Sequence, residues 1–481
     1  MTYHLASAPD LLDPAKCSNL RCQRVMWPLY EPLVNLSGDL KAVTPGLAES
    51  WDVGADGLTY TFHLRKGVKF HDGTPFNAAA AKINLERNFL PGSAHYTAVP
   101  PNVRERQLGG LIKDVAVLNE HTLTIVLKSP KVHLLFLAPM VSPGALDRYG
   151  ARLGESPVGT GPFRFVRATA DEIRLAAFAD YWGGRPKLDE ISFRIISRSD
   201  RTMDEFLAGR IDFLPEVEPV YLERLRTPRT TLVRIPTLSI YYLGFRVDRP
   251  PLDDVRVRQA LARAIDVERM VLFNSRGMAV PAYGPIPPGG DAYDAGLKRS
   301  RYSPEGARRQ LAEIGHAAGL KLSLVVNADW GFLAELAQAV KVDLAKVGVA
   351  VELVPKSGWK DLVAAVRQGT GDLFIYNWFS IFTDPEIFLA PNYESGSADN
   401  LTRYGNPVFD ALLQQARVTG DPAARLELYR RAQRILVEDS PILPLFHEVR
   451  VSAYRTRLSG VELTVHSQPV DRFTRIDIRG E

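Results

Sequence analysis

Alternation is the first regularity along this chain. Between residues 58 and 64, Tyr60, Phe62 and Leu64 fall on one side while Thr59, Thr61 and His63 fall on the other, the period of two of a half-buried strand. Residues 121–127 repeat the pattern, and residues 3–8 predict a first strand ahead of a turn-rich stretch, 9–14. Helical spacing takes over elsewhere. Val25, Met26, Leu29 and Tyr30 predict a helix over 23–33, which Pro28 should kink or restart. Asn77 is placed to cap a helix over 78–88, and Val255, Val257, Leu261 and Ile265 mark an amphipathic helix over 254–265. Strands over 321–326, 349–354 and 371–378 then alternate with helices over 333–347 and 359–368, which argues for an α/β sheet. The Pro- and Gly-rich stretches 157–162 and 281–290 read as a crossing between domains and an extended loop.

Composition narrows the class. With 481 residues, 46% of them hydrophobic, the chain can fill about three domain-sized units. The net charge of +4 is spread over interspersed signs, which leaves no nucleic-acid footprint; the basic stretch 224–234 reads as solvated surface. No apolar run approaches the ~20 residues that a spanning helix needs. Residues 1–8 carry neither a basic n-region nor an apolar h-region, which leaves open a chain kept inside the cell and one whose signal has been removed. Cys17 and Cys22 are the only cysteines. So close a pair suits a small disulfide loop in an oxidising compartment, with two unpaired thiols as the other reading.

Catalytic signatures are absent. Residues 154–158 break the Gly-x-Ser-x-Gly elbow at its last position, and Gly159-Thr160-Gly161 lacks the third glycine of a dinucleotide fingerprint. There is no Walker loop and no His-Glu-x-x-His, and no Cys or His cluster accompanies the cysteine pair, so neither metal nor cofactor is predicted. His63 reads as a solvent-facing strand residue, and Asp253-Asp254 sit where helix capping explains them. An enzyme on this chain would need a site assembled from distant residues.

Longer stretches carry a resemblance. Tyr30-Glu31-Pro32-Leu33-Val34 is followed by Thr44-Pro45-Gly46-Leu47-Ala48-Glu49-Ser50-Trp51 and by the run from Tyr60 to Phe76. Further on come Pro157-Val158-Gly159-Thr160-Gly161-Pro162-Phe163, Tyr181-Trp182-Gly183-Gly184-Arg185-Pro186, Phe206 to Asp212, Val257 to Asp266, and Asn406-Pro407 with Phe409-Asp410. Together these resemble, over nearly the whole chain, the family 5 extracytoplasmic solute-binding proteins, the oligopeptide-, dipeptide- and nickel-type binding proteins of bacterial ABC importers. The resemblance implies a two-lobed α/β periplasmic-binding-protein fold of type II. Domain I would take 1–43, 162–236 and 448–481, an inserted domain II 44–161, and domain III 237–447. The hinge would lie near 241–245 and 444–446, and closure would hold the ligand between domains I and III. Most motif residues would be scaffold, with Gly67, Gly73, Gly159 and Gly161 supplying turns.

The resemblance also implies ligand contacts. They would come from Ser18, Arg21 and Gln23 before the Tyr30 element, from Tyr241 and Tyr242 on the hinge strand, and from Asp329 and Trp330 after the first strand of domain III. A last group, Trp378, Phe379, Ser380, Ile381 and Phe382, follows the third strand. Peptide-binding relatives read roughly Trp-x-Ala-Asp-Tyr-x-Asp-Pro there, and the first Asp pairs with the peptide's α-ammonium. Aligned on Trp378 and Asp384-Pro385, this chain has Ile381 at that position. An unpaired buried charge costs about 3–5 kcal/mol, roughly two to three and a half orders of magnitude in affinity. An ordinary peptide with a free N-terminus is therefore disfavoured, unless Asp329 substitutes. The aromatic side chains suit an apolar or sugar-stacking cleft, and Arg21 suits a carboxylate or phosphate. No arginine stands in 138–142 to hold a nickel chelate as the nickel-type relatives do. The expected solute is an unusual or N-blocked peptide, a glycoside or an opine-like conjugate. It would be passed to the membrane permease of an ABC importer by a monomer working in the periplasm or at the cell surface. A cytoplasmic ligand sensor or a repurposed biosynthetic protein is the alternative on the same fold.

Overall fold

In the computed structural model, residues 1–9, 11–17, 19–39, 41–97, 112–128, 139–274, 277–380, 382–464 and 468–479 are described. The chain divides into two units, Met1–Val233 with Val451–Glu481, and Arg234–Arg450. It passes between them twice, at Val233–Arg234 and at Arg450–Val451.

Unit 1 begins with β1 (Thr2–Leu5) and α1 (Leu20–Met26). The helix expected over 23–33 starts earlier and stops sooner. Asn19 caps it by accepting from the Cys22 N–H at 3.1 Å, and it ends before Pro28, which has no N–H to continue it. The antiparallel strands β2 (Ala48–Val53), β3 (Thr59–Leu64), β4 (Ile112–Asn119) and β5 (Thr122–Leu127) form a sheet in the order β2-β3-β5-β4, and α2 (Ala78–Phe89) contacts β4 and β5. The alternation read from the sequence sets its faces: Tyr60, Phe62 and Leu64 are buried, whereas His63 points out and meets Asp52 at 2.8 Å. Asn77 caps α2 through the Ala80 N–H. A second sheet contains β6 (Phe163–Ala168), β7 (Glu172–Ala177), β8 (Glu190–Ile195) and β9 (Phe213–Leu214) in the order β9-β1-β8-β7-β6, with β1 parallel to both its neighbours.

Three of the family-like stretches of unit 1 meet at one carboxylate. Glu31 is buried and accepts from Thr160 Oγ1 at 3.0 Å, Tyr181 OH at 2.8 Å and Trp182 Nε1 at 2.9 Å. Burial raises its pKa, and the Arg472 guanidinium and these donors act against that rise. The glycines of 157–162 are there for closeness rather than for a turn. A Cβ at Gly159 would lie 2.1 Å from the Leu29 carbonyl oxygen, and one at Gly161 would lie 2.3 Å from that of Pro28. His71 closes the same junction. Its Nε2–H donates to the Gly161 carbonyl at 3.0 Å, and its Nδ1 accepts from the Gly159 N–H at 3.2 Å.

Unit 2 is built on β10 (Ser239–Phe245), β11 (Leu320–Asn327), β12 (Val349–Lys356), β13 (Leu373–Phe379) and the first part of β14 (Ile442–Arg455), in the order β12-β11-β13-β10-β14. Strand β11 runs parallel to both β12 and β13, while β10 is antiparallel to β13 and to β14. The amphipathic helix α3 (Val255–Ala264) starts on the Asp254 cap and buries Val257, Ala260, Leu261 and Ala264 in the core, whereas 281–290 carries no regular helix or strand beyond its first residue. Helices α4 (Gly331–Ala345), α5 (Gly358–Arg367) and α6 (Pro385–Tyr393) follow β11, β12 and β13 in turn, and α7 (Pro422–Asp439) precedes β14.

Each unit holds a histidine that burial keeps neutral, His71 in unit 1 and His447 in unit 2, and each pKa is lowered to about 4. His447 Nδ1–H donates to the Ser239 carbonyl at 2.9 Å. An unfolded histidine takes up its proton near its ordinary value of 6.5, whereas these rings wait until about 4. Stability from them is therefore complete above pH 6.5 and is lost as pH falls to about 4, by about 3 kcal/mol for a fully buried ring. Urea unfolding near neutral pH and again at about pH 4.5 should show the loss, and His447→Gln should flatten it. An identical pH slope in wild type and variant would remove His447 from the account.

Candidate ligand-binding site

Parallel strands covered on both faces are apolar along their length, so recognition groups collect where the chain leaves them. In unit 2 the register pairs Leu320 with Val349 and Asn327 with Lys356, which brings β11 and β12 to an end side by side. Strand β13, also parallel to β11, ends toward the same edge at Phe379. Three connections thus leave one edge of the sheet: 328–330 into α4, 357 into α5, and the described residues 380 and 382–384 toward α6.

The predicted residues of these loops differ in how they stand. Trp330 is 49% exposed and Phe379 63% exposed, although both are large and apolar. Trp330 meets Trp359 edge-on at 6.3 Å between ring centres, and Trp359 meets Tyr376 at 5.5 Å. Asp329 is exposed and accepts from Ser357 Oγ, which lies 3.2 and 3.1 Å from its two oxygens. Trp378 is half-buried and spends its indole N–H on the Ile387 carbonyl at 2.9 Å. Ser380 is buried; its N–H donates to the Leu238 carbonyl, and its Oγ accepts from the N–H of half-buried Phe382. Ile381 lies outside the described residues.

Tyr241 and Tyr242 are taken up by the core. Their strand β10 is paired on both sides, Tyr241 stacks on Phe446 at 4.4 Å, and Tyr242 is 1% exposed between Phe374, Tyr376 and Asn392. That packing leaves little of either ring for a solute. It also places the segments expected to hinge, 241–245 and 444–446, inside the unit 2 sheet, while the chain crosses between units at 233–234 and 450–451.

In unit 1 Cys17 and Cys22 form a disulfide, so the reading of two unpaired thiols falls. The bridge ties the loop before α1 to the helix's first turn. Arg21 stands exposed on that turn and Gln23 is half-buried one step further; Ser18 lies outside the described residues.

One important group was missed. Asp384, used above only to align a motif, is the cap of α6 and is buried against Arg425 of α7, with Arg425 Nη2 at 3.0 Å and 3.2 Å from its two oxygens. Next to it, Thr383 Oγ1 donates to Asp291 at 2.7 Å. The Asp-Pro pair was a readable cap signal. Arg425 was not readable, since it looks like any arginine on an amphipathic helix until the fold buries it. No group of three or more His, Cys, Asp or Glu able to hold a metal occurs among the described residues.

These features define a class: an α/β protein of two units joined by two crossings, with loops leaving one strand-end edge of a mostly parallel sheet. The family described as bacterial extracellular solute-binding proteins, family 5 Middle, matches residues 42–400, and the chain belongs to it. It has the mixed α/β fold of periplasmic binding proteins and is the solute-binding component of an ABC importer. The family is not enzymatic, so the reading of an enzyme site built from distant residues falls. Di/tripeptide-binding protein 2 of Pseudomonas aeruginosa (strain UCBPP-PA14) is 31% identical over 488 residues, covering 95% of this chain and 91% of the relative. Heme-binding protein A of Haemophilus influenzae (strain ATCC 51907 / DSM 11121 / KW20 / Rd) is 30% identical, covering 95% of this chain and 87% of the relative. The solved structure of HbpA2 from Haemophilus parasuis superposes with a TM-score of 0.92 at 27% identity and covers 100% of each chain. No helix among the described residues is long and apolar enough to cross a membrane.

The buried pair fixes how the chain enters α6 at Asp384, so removing one partner should be costly. Arg425→Met is expected to destabilise the protein by about 3 kcal/mol, with the double variant Asp384→Asn/Arg425→Met recovering part of the loss. Chemical unfolding of wild type and the two variants checks this. An Arg425→Met midpoint equal to wild type would show that the pair holds nothing.

Proposed function

We propose that the chain captures a small organic solute bearing an apolar or ring-shaped portion, and that the solute is held on unit 2 at the strand-end edge of β11, β12 and β13. The observation that carries this reading is the exposure of Trp330 and Phe379, at 49% and 63%, one on the loop after β11 and the other at the end of β13. Two large apolar side chains left in water at the ends of neighbouring parallel strands suit an apolar partner, and a small solute is the partner that the importer role supplies. In unit 1, Arg21 is exposed on a turn pinned by the Cys17–Cys22 bridge and suits an acidic group. The relatives named for di/tripeptides, haem and glutathione, and the solved AgaA complex with agropinic acid at 26% identity and a TM-score of 0.76, support a peptide-like or opine-like organic molecule. The protein works as a monomer with a membrane permease as its partner, and it has no nucleic-acid role. The bridge supports an oxidising, extracytoplasmic setting, because structural disulfides persist there.

Native mass spectrometry of the purified protein should find a retained small organic solute. Thermal-shift titration of the identified solute should then show affinity falling about tenfold or more in Trp330→Ala and in Phe379→Ala, as expected for apolar contacts of about 1.5 kcal/mol or more each. Variants that bind the solute as well as wild type would place the site elsewhere.

A further inference from the structure

The Pro- and Gly-rich stretch 281–290 continues through 291–294 as a belt beside the exit from β13 towards α6. Its start is tied to the sheet, where the Ala282 N–H donates to the Leu445 carbonyl of β14 at 3.1 Å. Pro285, Pro287 and Pro288 then restrict its course. The belt meets the exit from β13 at two places. A Cβ on Gly289 would lie 3.2 Å from Leu238 Cδ2, and the Leu238 carbonyl accepts the Ser380 N–H at 2.8 Å. Further on, Asp291 holds Thr383 twice. The Asp291 N–H donates to the Thr383 carbonyl at 2.7 Å, and Asp291 Oδ2 accepts from Thr383 Oγ1 at 2.7 Å. One hydrogen bond leaves a residue free to pivot, whereas two fix both its place and its rotation.

The belt itself is anchored behind. Ala292 is buried at φ +58°, a left-handed conformation that side chains rarely take and that persists only where the surroundings impose it. Its carbonyl accepts from Nε2 of Gln433, a fully buried residue of α7, at 2.8 Å. About two turns earlier on that helix, Arg425 pairs with Asp384. The links therefore close into a ring. Helix α7 holds Asp384 through Arg425 and Ala292 through Gln433, and their neighbours Thr383 and Asp291 are bonded to each other. In such a ring no member shifts without disturbing the next.

We infer that Asp291 is a positioning residue for solute capture: through Thr383 it keeps the exit from β13, which begins at Phe379, in place before the solute arrives. The inference rests on the proposal that this edge of unit 2 holds the solute, and it gives the belt a part in affinity without contact to the solute. A segment held in advance has less freedom to lose on binding, worth about two- to tenfold in affinity for each side chain so held.

The test uses the full chain and three probes: alanyl-leucine, glutathione and agropinic acid. By calorimetry, the probe that wild type binds most tightly should bind about fivefold more weakly to Asp291→Ala. Asp291→Asn keeps an acceptor for Thr383 Oγ1 and should stay within about twofold of wild type. Gln433→Leu should weaken the same probe, and Asp291→Ala/Gln433→Leu should lose less than the product of the single losses, because both open one ring. Unchanged affinity in Asp291→Ala overturns the inference, even if that variant melts earlier, since a purely structural role is then all that is left. So does an Asp291→Asn variant as weak as Asp291→Ala. Hydrogen exchange on the solute-free chain is the second reading, and it decides if no probe binds. Amides of 380–383 should exchange about tenfold faster in Asp291→Ala, while those of α6, held through Arg425, keep the wild-type rate. Equal rates at 380–383, or the same acceleration in both segments, overturns the inference. If Trp330→Ala and Phe379→Ala bind the probe as well as wild type, the edge itself falls. If those two are weakened and Asp291→Ala is not, the edge stands and only the positioning role is lost.

Discussion

A parallel sheet buried on both faces has no side on which to keep polar chemistry, and unit 2 is organised by that constraint. Leu322, Leu324, Val325 and Val326 of β11 are all buried, as are Leu373, Phe374 and Ile375 of β13, so neighbouring residues of one strand pack on opposite faces and neither face is left for recognition. Polar groups and exposed aromatic side chains are pushed to the strand ends. Parallel pairing of β11 with β12 and β13 then does the gathering, because strands that run in one direction deliver their C-terminal loops to one edge. Asp329, Ser357 and Phe379 lie tens of residues apart in the chain and come to that edge for this reason alone.

An edge of loops is useful only if the loops stay put, and in both units buried charge does much of the holding. Asp384 caps α6 while paired with Arg425, so the strand-to-helix passage after β13 is tied at its far end to α7. Unit 1 uses a different device. Glu31 has three side-chain donors drawn from two later stretches of chain, and Arg472 beside it donates to the Trp27 and Tyr30 carbonyls. A buried carboxylate with that many donors is expensive to assemble wrongly, which favours a single arrangement of the segments that meet there.

These two devices explain what could be read in advance. Strands such as β3 were legible because burial follows the period of the backbone: Tyr60, Phe62 and Leu64 had to share a side. The family-like stretches were legible because Glu31, Thr160, Tyr181 and Trp182 satisfy one another, so each carries a signal even when its partner is far away. Gly159 and Gly161 were recognised but for the wrong reason; a turn was expected, and close approach to the carbonyls of Leu29 and Pro28 is what excludes a side chain. The limits of α1 were misjudged because Pro28 was read as a kink inside a helix that had already ended. At the site, residue type alone did not separate Trp330 from Tyr241. Both are aromatic and both sit in stretches with a ligand-contacting habit, but Tyr241 is on a strand paired on both sides and Trp330 is on the loop after one. Exposure is decided by sheet order, which no local pattern encodes.

The same division explains how relatives named for different cargoes share about 30% identity with this chain over 93–95% of its length. The residues that make the fold recognisable are satisfied by other scaffold residues, so a change of solute places little demand on them. Exposed side chains at the strand ends have few scaffold partners, and a substitution there costs little stability. Asp329 illustrates the point: its known bonds run to Ser357 and to the adjacent turn, and no core contact depends on its charge. Family membership therefore transfers the importer role and the architecture to this chain. The solute has to be argued from side chains whose bonding is incomplete within the protein, and the exposed rings of Trp330 and Phe379 are two of these.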